Sequence, residues 1–291
     1  MYSNSKKSSS YYFQKTLNGI IADIPPAEKR SILLILFEHI FSINAADIMA
    51  NNTLQVSEND DYKLHTFIQR INQYEPVQYI LGYAYFKDLK LCVSPHVLIP
   101  RPETEELVNI IISENLHSAP EHVLDVGTGS GAIAIALKQY FANSTIHACD
   151  VSTEALQTAI ANAQNLSMDI SFAQIDILQK TLYSYPKFDI IVSNPPYVLE
   201  SEKINIHSNV LDYEPNIALF VPDSEPLKYY EHILINLAPY MKITTQIYFE
   251  INPLTAHLFD DLGIKYRYTT HYYRDINDKI RFVKLKKINR D

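Results

Sequence analysis

Apolar residues recur along this chain in two different rhythms. Up to about residue 80 the spacing is helical. Pro25-Pro26-Ala27-Glu28 opens a segment in which Ile32, Leu33, Ile35, Leu36, Phe37, Ile40 and Phe41 form a wide apolar face. Asp60-Asp61 opens another, with Leu64, Phe67, Ile68 and Ile71 at three- and four-residue steps. No glycine stands between Gly19 and Gly82. The pattern predicts a small all-α domain over residues 1–82, built from four or five helices. Tyr83, Tyr85, Leu89, Leu91, Val93 and Val97 then predict a hairpin or extended linker over 83–100. Pro95, Pro100 and Pro102 stiffen the path onward, because proline fixes φ.

From about residue 120, short apolar runs alternate with helical spacing. Strands are predicted at 123–126, 145–149, 170–175, 188–193, 244–251, 265–270 and 279–286. Helices are predicted at 131–140, 153–165, 225–240 and 253–262. Such alternation means a mostly parallel sheet with helices on both faces. The last two strands leave no room for a crossover helix and should pair antiparallel. Residues 101–291 are therefore expected to form an α/β domain on a seven-stranded, Rossmann-like sheet.

Composition narrows the class. Hydrophobic residues make up 47% and charged residues 20%, which excludes disorder as the main state. The longest aliphatic run, residues 32–37, is far short of the ~20 residues that span a bilayer, so no membrane association is expected. Residues 1–10 are polar, and no secretory leader is read there. Two cysteines, Cys92 and Cys149, cannot build a disulfide framework, which fits a reducing cytoplasm. The ten histidines form no close pair with ligand spacing, so no metal is expected. Net charge is −8 and falls entirely in residues 91–291, which argues against a nucleic-acid substrate. The basic cluster Lys279, Arg281, Lys284, Lys286, Lys287 and Arg290 reads as a solvated strand face or a partner contact.

The chemistry begins with glycine. Three of only six glycines, Gly127, Gly129 and Gly131, fall in Val126-Gly127-Thr128-Gly129-Ser130-Gly131, between a predicted strand and a predicted helix. A chain turning sharply at a strand's carboxyl end, with a ligand close to its backbone, needs residues without a Cβ. The next strand ends at Asp150, placed to bond two vicinal ribose hydroxyls. Together these residues specify a nucleoside ligand without separating a dinucleotide from S-adenosylmethionine.

A third strand end carries Asn194-Pro195-Pro196-Tyr197. Two prolines make this loop stiff. The Asn194 side-chain oxygen and the Pro195 carbonyl form a two-acceptor fork that suits the two N–H donors of a planar amino group. Tyr197 offers an aromatic face to such a group. A glycine loop followed by an acid and this tetrapeptide resembles the amino-group methyltransferases that use S-adenosylmethionine. Further stretches narrow the resemblance to the peptide-chain release factor glutamine methyltransferases: Pro76-Val77-Gln78-Tyr79-Ile80-Leu81-Gly82, Val97-Leu98-Ile99-Pro100-Arg101-Pro102-Glu103-Thr104-Glu105 and Tyr213-Glu214-Pro215-Asn216-Ile217-Ala218-Leu219.

That resemblance implies a methyltransferase sheet preceded by a helical substrate-recognition domain. It implies S-adenosylmethionine as cofactor, with Gly127, Thr128, Gly129, Ser130 and Gly131 at its methionine end, Asp150 at its ribose, and Asp176 and Ile177 beside its adenine. Asn194 would touch cofactor and substrate, and Asn194, Pro195, Pro196 and Tyr197 would grip the substrate amide. The implied substrate is the glutamine of the Gly-Gly-Gln loop in class I release factors. A glutamine of a ribosomal protein, or a nucleic-acid adenine, could use the same fork. The chain departs from the family at four places. Ile177 stands where many relatives carry an aromatic residue. Residues 220–227 lack glycine, and Asn252 and Asp278 stand where glycine is common.

Overall fold

The seven predicted strands lie in one sheet of the computed structural model, which describes residues 5–179 and 185–288. In chain order they are β1 (His122–Val126), β2 (Thr145–Asp150), β3 (Ile170–Gln174), β4 (Phe188–Ser193), β5 (Met241–Glu250), β6 (Tyr268–Arg274) and β7 (Ile280–Lys287). Their spatial order is β6-β7-β5-β4-β1-β2-β3. Strands β5, β4, β1, β2 and β3 run parallel. Strand β7 is antiparallel to both β5 and β6, as expected of a pair with no helix between them. The chain moves outward from β1 to β3, then returns to β4 on the other side of β1. The crevice at the carboxyl ends of β1 and β4 is therefore a topological switch point, where open α/β sheets bind ligands.

Register aligns the strand ends. Val126 is opposite Cys149 on β2 and Ser193 on β4, and Phe249 on β5 is opposite the same Ser193. The next residues on these four strands are Gly127, Asp150, Asn194 and Glu250, so they emerge at one level. Alternation sends Val123, Ile146, Ile190 and Val192 to one face, against Leu107 and Ile111 of α1 (Pro102–Glu114) and Ile135 and Leu137 of α2 (Ala132–Tyr140). Helix α3 (Thr153–Asn165) adds Ala163 to that face. Leu124, Val126 and Ile191 face the other side, against Ile233 and Leu234 of α4 (Lys228–Asn236) and Phe259 and Leu262 of α5 (Leu258–Tyr266). Each fully buried Leu or Ile contributes about 1.5–3 kcal/mol by leaving water.

Three local readings are corrected. Pro102 does not stiffen a linker; it opens α1, where its fixed φ is preorganised and its missing N–H costs nothing, while Arg101 before it stays extended. The predicted strand at 265–270 starts instead at Tyr268, because α5 runs on to Tyr266 and ends with Arg267 at φ 63°. Gly263 permits this: a Cβ there would meet the Tyr268 carbonyl oxygen at 2.8 Å. The basic cluster is not one solvated face. Lys284 is buried and paired with Glu114, Arg281 bonds Asp275 at 3.1 Å, and Arg290 lies outside the described residues.

The chain divides into two compact units: residues up to Leu81 with Ser208–Tyr213 form one, and Gly82–His207 with residues from Glu214 onward form the other. The first unit is helical, with Ser9–Leu17, Pro26–Phe41, Ala45–Met49, Glu58–Ile71 and Val77–Leu81 among its described helices. Leu33, Leu36, Phe37, Leu64, Phe67 and Ile68 form its core. The all-α expectation for this region is corrected: Ser5–Ser8 pairs antiparallel with Thr53–Val56, whose two-residue alternation buries Leu54 and Val56 in the helical core. No helix among the described residues is long and apolar enough to cross a membrane.

Candidate active site

At the carboxyl edge of the sheet lies a cavity of ≈ 250 Å³ lined by residues of the second unit alone. Gly127, Thr128, Gly129 and Ser130 line it, with Asp150, Asp176 and Ile177 beyond them and Asn194, Pro195 and Pro196 at β4. Gly127 and Gly129 have φ of 73° and 55°, a region that side chains disfavour, and a Cβ on either would meet no atom within 4 Å. The loop is thus a bare backbone turn facing open space. Gly131 does something different. It is not among the lining residues; it caps α2 at φ 84°, and a Cβ there would press on Ile135 and Ala159. Its place is the close packing of α2 against α3.

The loop is held by its neighbours. The Gly127 and Thr128 amides donate to the Cys149 carbonyl at 2.8 and 2.9 Å, and the Gly129 amide donates to Asp150 Oδ2 at 2.9 Å. Asp150 Oδ1 accepts from the Ser152 amide at 3.0 Å. Ser152, not Asp150, caps α3, accepting from the Ala155 amide. Burial raises the Asp150 pKa, opposed by these backbone donors. Buried Asn162 accepts from the Cys92 amide at 2.7 Å and donates to the Ser130 carbonyl at 2.9 Å, tying the hairpin Tyr83–Phe86 and Leu89–Cys92 to the glycine loop.

Asp125, two residues before Gly127, was not assigned a role from sequence. It is fully buried, and its Oδ2 accepts from the Thr128 hydroxyl at 2.6 Å and the Ala134 amide at 3.2 Å. Its Oδ1 has no hydrogen-bond partner among the described residues. Desolvation pushes its pKa up to about 7, against the pull of Thr128 and Ala134. Since the folded pKa lies above the unfolded one of about 3.9, this carboxyl's contribution to stability is full below that value and is lost as pH rises toward 7. Asp125→Asn should remove that loss. The stability of the variant relative to wild type should climb between about pH 4 and 7 by up to ~1.4 kcal/mol per unit of pKa shift. Urea unfolding across that range checks it; a difference independent of pH contradicts the assignment.

Beyond β3, Asp176 bonds within its own turn, accepting from the Leu178 amide at 3.0 Å and the Gln179 side chain at 2.9 Å. Ile177 presents an aliphatic wall, and Asn236 of α4 donates to its carbonyl at 2.8 Å. Tyr229 of α4 also lines the cavity, an aromatic residue that no sequence motif marks.

The Asn194–Tyr197 loop is stiff for reasons beyond its prolines. The Ser193 hydroxyl donates to the Val126 carbonyl at 2.6 Å, locking β4 to β1 at the loop's root. Residues Val198–Leu199 pair in parallel with Phe220–Val221 at its exit. Asn194 donates to the Thr104 hydroxyl at 3.1 Å. The Tyr197 ring is not among the lining residues; its hydroxyl points inward and donates to Glu250 Oε1 at 3.0 Å. Burial, then the Glu250 charge, push the Tyr197 pKa far up, so its hydroxyl is no base. Asn252, at a position where the family resemblance leads to the expectation of glycine, donates to the Tyr197 carbonyl at 3.2 Å and to Glu202 at 2.6 Å. Its φ of −72° needs no glycine, whereas Asp278 does adopt φ 61° at its turn.

Two stretches far apart in sequence also join here. Glu214, buried, accepts from Arg101 at 2.5 Å and from the Ile99 amide at 3.2 Å. Arg101 and Pro215 both line the cavity. What the site offers is a bare glycine turn, a carboxylate with spare lone pairs, an apolar slot and a rigid amide-bearing loop. These fit a nucleoside with a charged or polar tail and, beside it, a small planar amide.

Comparison with known proteins gives a consistent picture. Residues 107–214 match the methyltransferase small domain, and residues 22–82 match the PrmC N-terminal domain. A release factor glutamine methyltransferase of Bacteroides thetaiotaomicron is 39% identical over 241 residues, covering 83% of this chain and 85% of that protein. One from Flavobacterium psychrophilum is 40% identical over 262 residues, covering 89% and 92%. Among solved structures, a methyltransferase from Pyrococcus furiosus aligns with a TM-score of 0.52 at 17% identity, over 76% of this chain and 98% of that one, a likeness of fold.

Proposed function

The chain belongs to the release factor glutamine methyltransferase family, and from that premise we propose that it methylates the side-chain amide nitrogen of the glutamine in the Gly-Gly-Gln loop of class I peptide-chain release factors. It is an S-adenosylmethionine-dependent protein-glutamine methyltransferase. The observation that carries the substrate reading is Asn194-Pro195-Pro196 lining the same cavity as the glycine turn and Asp150, in a chain 39% identical to such an enzyme. The helical unit up to Leu81 would recognise the protein substrate, and a cytoplasmic setting goes with a translation factor as acceptor.

S-adenosylmethionine, when bound, supplies an electrophilic methyl group on a sulfonium. Gly127, Thr128, Gly129 and Ser130 would hold its methionine end, Asp150 its ribose, and Asp176 and Ile177 the surroundings of its adenine. The acceptor's difficulty is that an amide nitrogen's lone pair is delocalised into its carbonyl. Asn194–Tyr197 carries no carboxylate or imidazole of its own to remove an amide proton, and Glu250 behind it is engaged by Thr104 and Tyr197. Asn194 Oδ1 and the Pro195 carbonyl instead accept the two N–H bonds and aim the nitrogen in line. As positive charge develops on nitrogen, both hydrogen bonds strengthen, so they favour the transition state over the ground state. Holding the partners in line supplies the entropic share. The methylated nitrogen then gives its proton to water.

The test offers radiolabelled S-adenosylmethionine with purified release factor, ribosomal protein and duplex DNA in parallel. Label is expected on the release factor and lost when its loop glutamine is replaced. Label on DNA or on the ribosomal protein, or label surviving the replacement, overturns the assignment.

A further inference from the structure

Glu250 is a buried carboxylate that the mechanism above leaves unused, although register brings it level with Asn194. Its Oε2 accepts from the Thr104 hydroxyl at 2.7 Å and its Oε1 from the Tyr197 hydroxyl at 3.0 Å. Glu250 is 1% exposed and Thr104 is 5% exposed, so neither bond competes with bulk water. A threonine hydroxyl has one proton. With that proton given to the carboxylate, Thr104 Oγ1 can only accept at its remaining positions. Its other neighbour is Asn194 Nδ2, at 3.1 Å. The Asn194 amide is planar, so once its nitrogen is committed to Thr104, its carbonyl oxygen is the end left for the cavity.

We infer that Glu250 and Thr104 are positioning residues that set the polarity of the Asn194 amide, fixing its oxygen as the substrate-facing acceptor. This rests on the reading of Asn194 as one arm of the amide fork. An unconstrained asparagine could turn either end to the substrate, and its NH₂ would repel the N–H donors of a glutamine amide. The same carboxylate holds Tyr197 at the far end of the loop, so one buried group anchors both ends of Asn194–Tyr197. Burial raises the Glu250 pKa, and its bonds from Thr104 and Tyr197 and the charge of Arg281 act against that rise.

The decisive comparison is Thr104→Val against Thr104→Ser. Valine keeps the shape and loses the hydroxyl; serine keeps the hydroxyl and loses a methyl. Thr104→Val should lower kcat by about 10²-fold, the loss typical of misplacing one group aimed at the transition state. KM for the release factor and affinity for S-adenosylmethionine should stay within about threefold. Thr104→Ser should recover most of the lost kcat. A packing role would give the reverse order, with serine the worse substitution. Glu250→Gln, which keeps the shape but brings an NH₂ donor into the pair, provides the second arm and should lower kcat with little change in KM. Wild-type kcat in both Thr104→Val and Glu250→Gln, while Asn194→Ala is inactive, overturns this inference alone. Turnover surviving in Asn194→Ala sinks instead the reading of the fork.

Discussion

Asn194→Ala is expected to cut the rate of methyl transfer by roughly 10²–10³-fold, the cost of losing one donor or acceptor aimed at a transition state. The residue stands at the end of β4, its backbone locked by the Ser193–Val126 bond and its side chain held by Thr104. Removing the amide takes away an acceptor whose partner gains positive charge during the reaction. The loss should therefore appear in kcat and kcat/KM together, not in KM alone. The fold should survive, because Asn194 is only partly buried and Pro195, Pro196 and the Val198–Leu199 pairing still shape the loop. Single-turnover assays with purified release factor and saturating S-adenosylmethionine check this. A variant keeping more than about a tenth of wild-type turnover contradicts the role.

Much of this site is local in sequence, and that part could be read there. A glycine turn after a strand, an acid at the end of the next strand and a proline-stiffened loop after a third each sit within a few residues. Parallel-sheet topology then brings strand ends together without any pairwise contact having to be known. Contacts that cross the chain were invisible. Thr104 meets Glu250 across 146 positions, and Arg101 meets Glu214 across 113. Thr104, Arg101 and Glu214 lie in stretches already singled out, yet nothing in their spacing says which carboxylate Thr104 or Arg101 reaches. Helix α1 is hidden for a different reason: Pro100 and Pro102 look like linker until Pro102 is recognised as a helix-opening residue. Tyr197 was read as a face for the substrate because the tetrapeptide does not reveal that a buried acid waits behind its hydroxyl. Gly131 looked like part of the cradle but serves helix packing, a distinction that depends on Ala159 of α3.

Asp150→Ala should weaken S-adenosylmethionine binding by about 10- to 10²-fold while leaving the protein folded, since charge-assisted hydrogen bonds are worth ~1.5–3 kcal/mol. A carboxylate has about four lone-pair sites. The Gly129 and Ser152 amides occupy one on each oxygen, which orients the group and leaves acceptors free for a vicinal diol. The substitution thus removes the bonds to the ribose and also unties Gly129, the centre of the bare turn. Both effects fall on the cofactor. Stability should change little, because the two lost backbone bonds are offset by relief of a carboxylate whose charge burial disfavours. Asp150→Asn separates the contributions: it retains one acceptor for Gly129 but loses the charge, so its affinity should lie between those of wild type and Asp150→Ala. Calorimetric titration beside thermal unfolding distinguishes the cases. Unchanged affinity in a folded Asp150→Ala variant would remove Asp150 from the ribose site, and a large drop in melting temperature would mean that its bonds to Gly129 and Ser152 serve the fold.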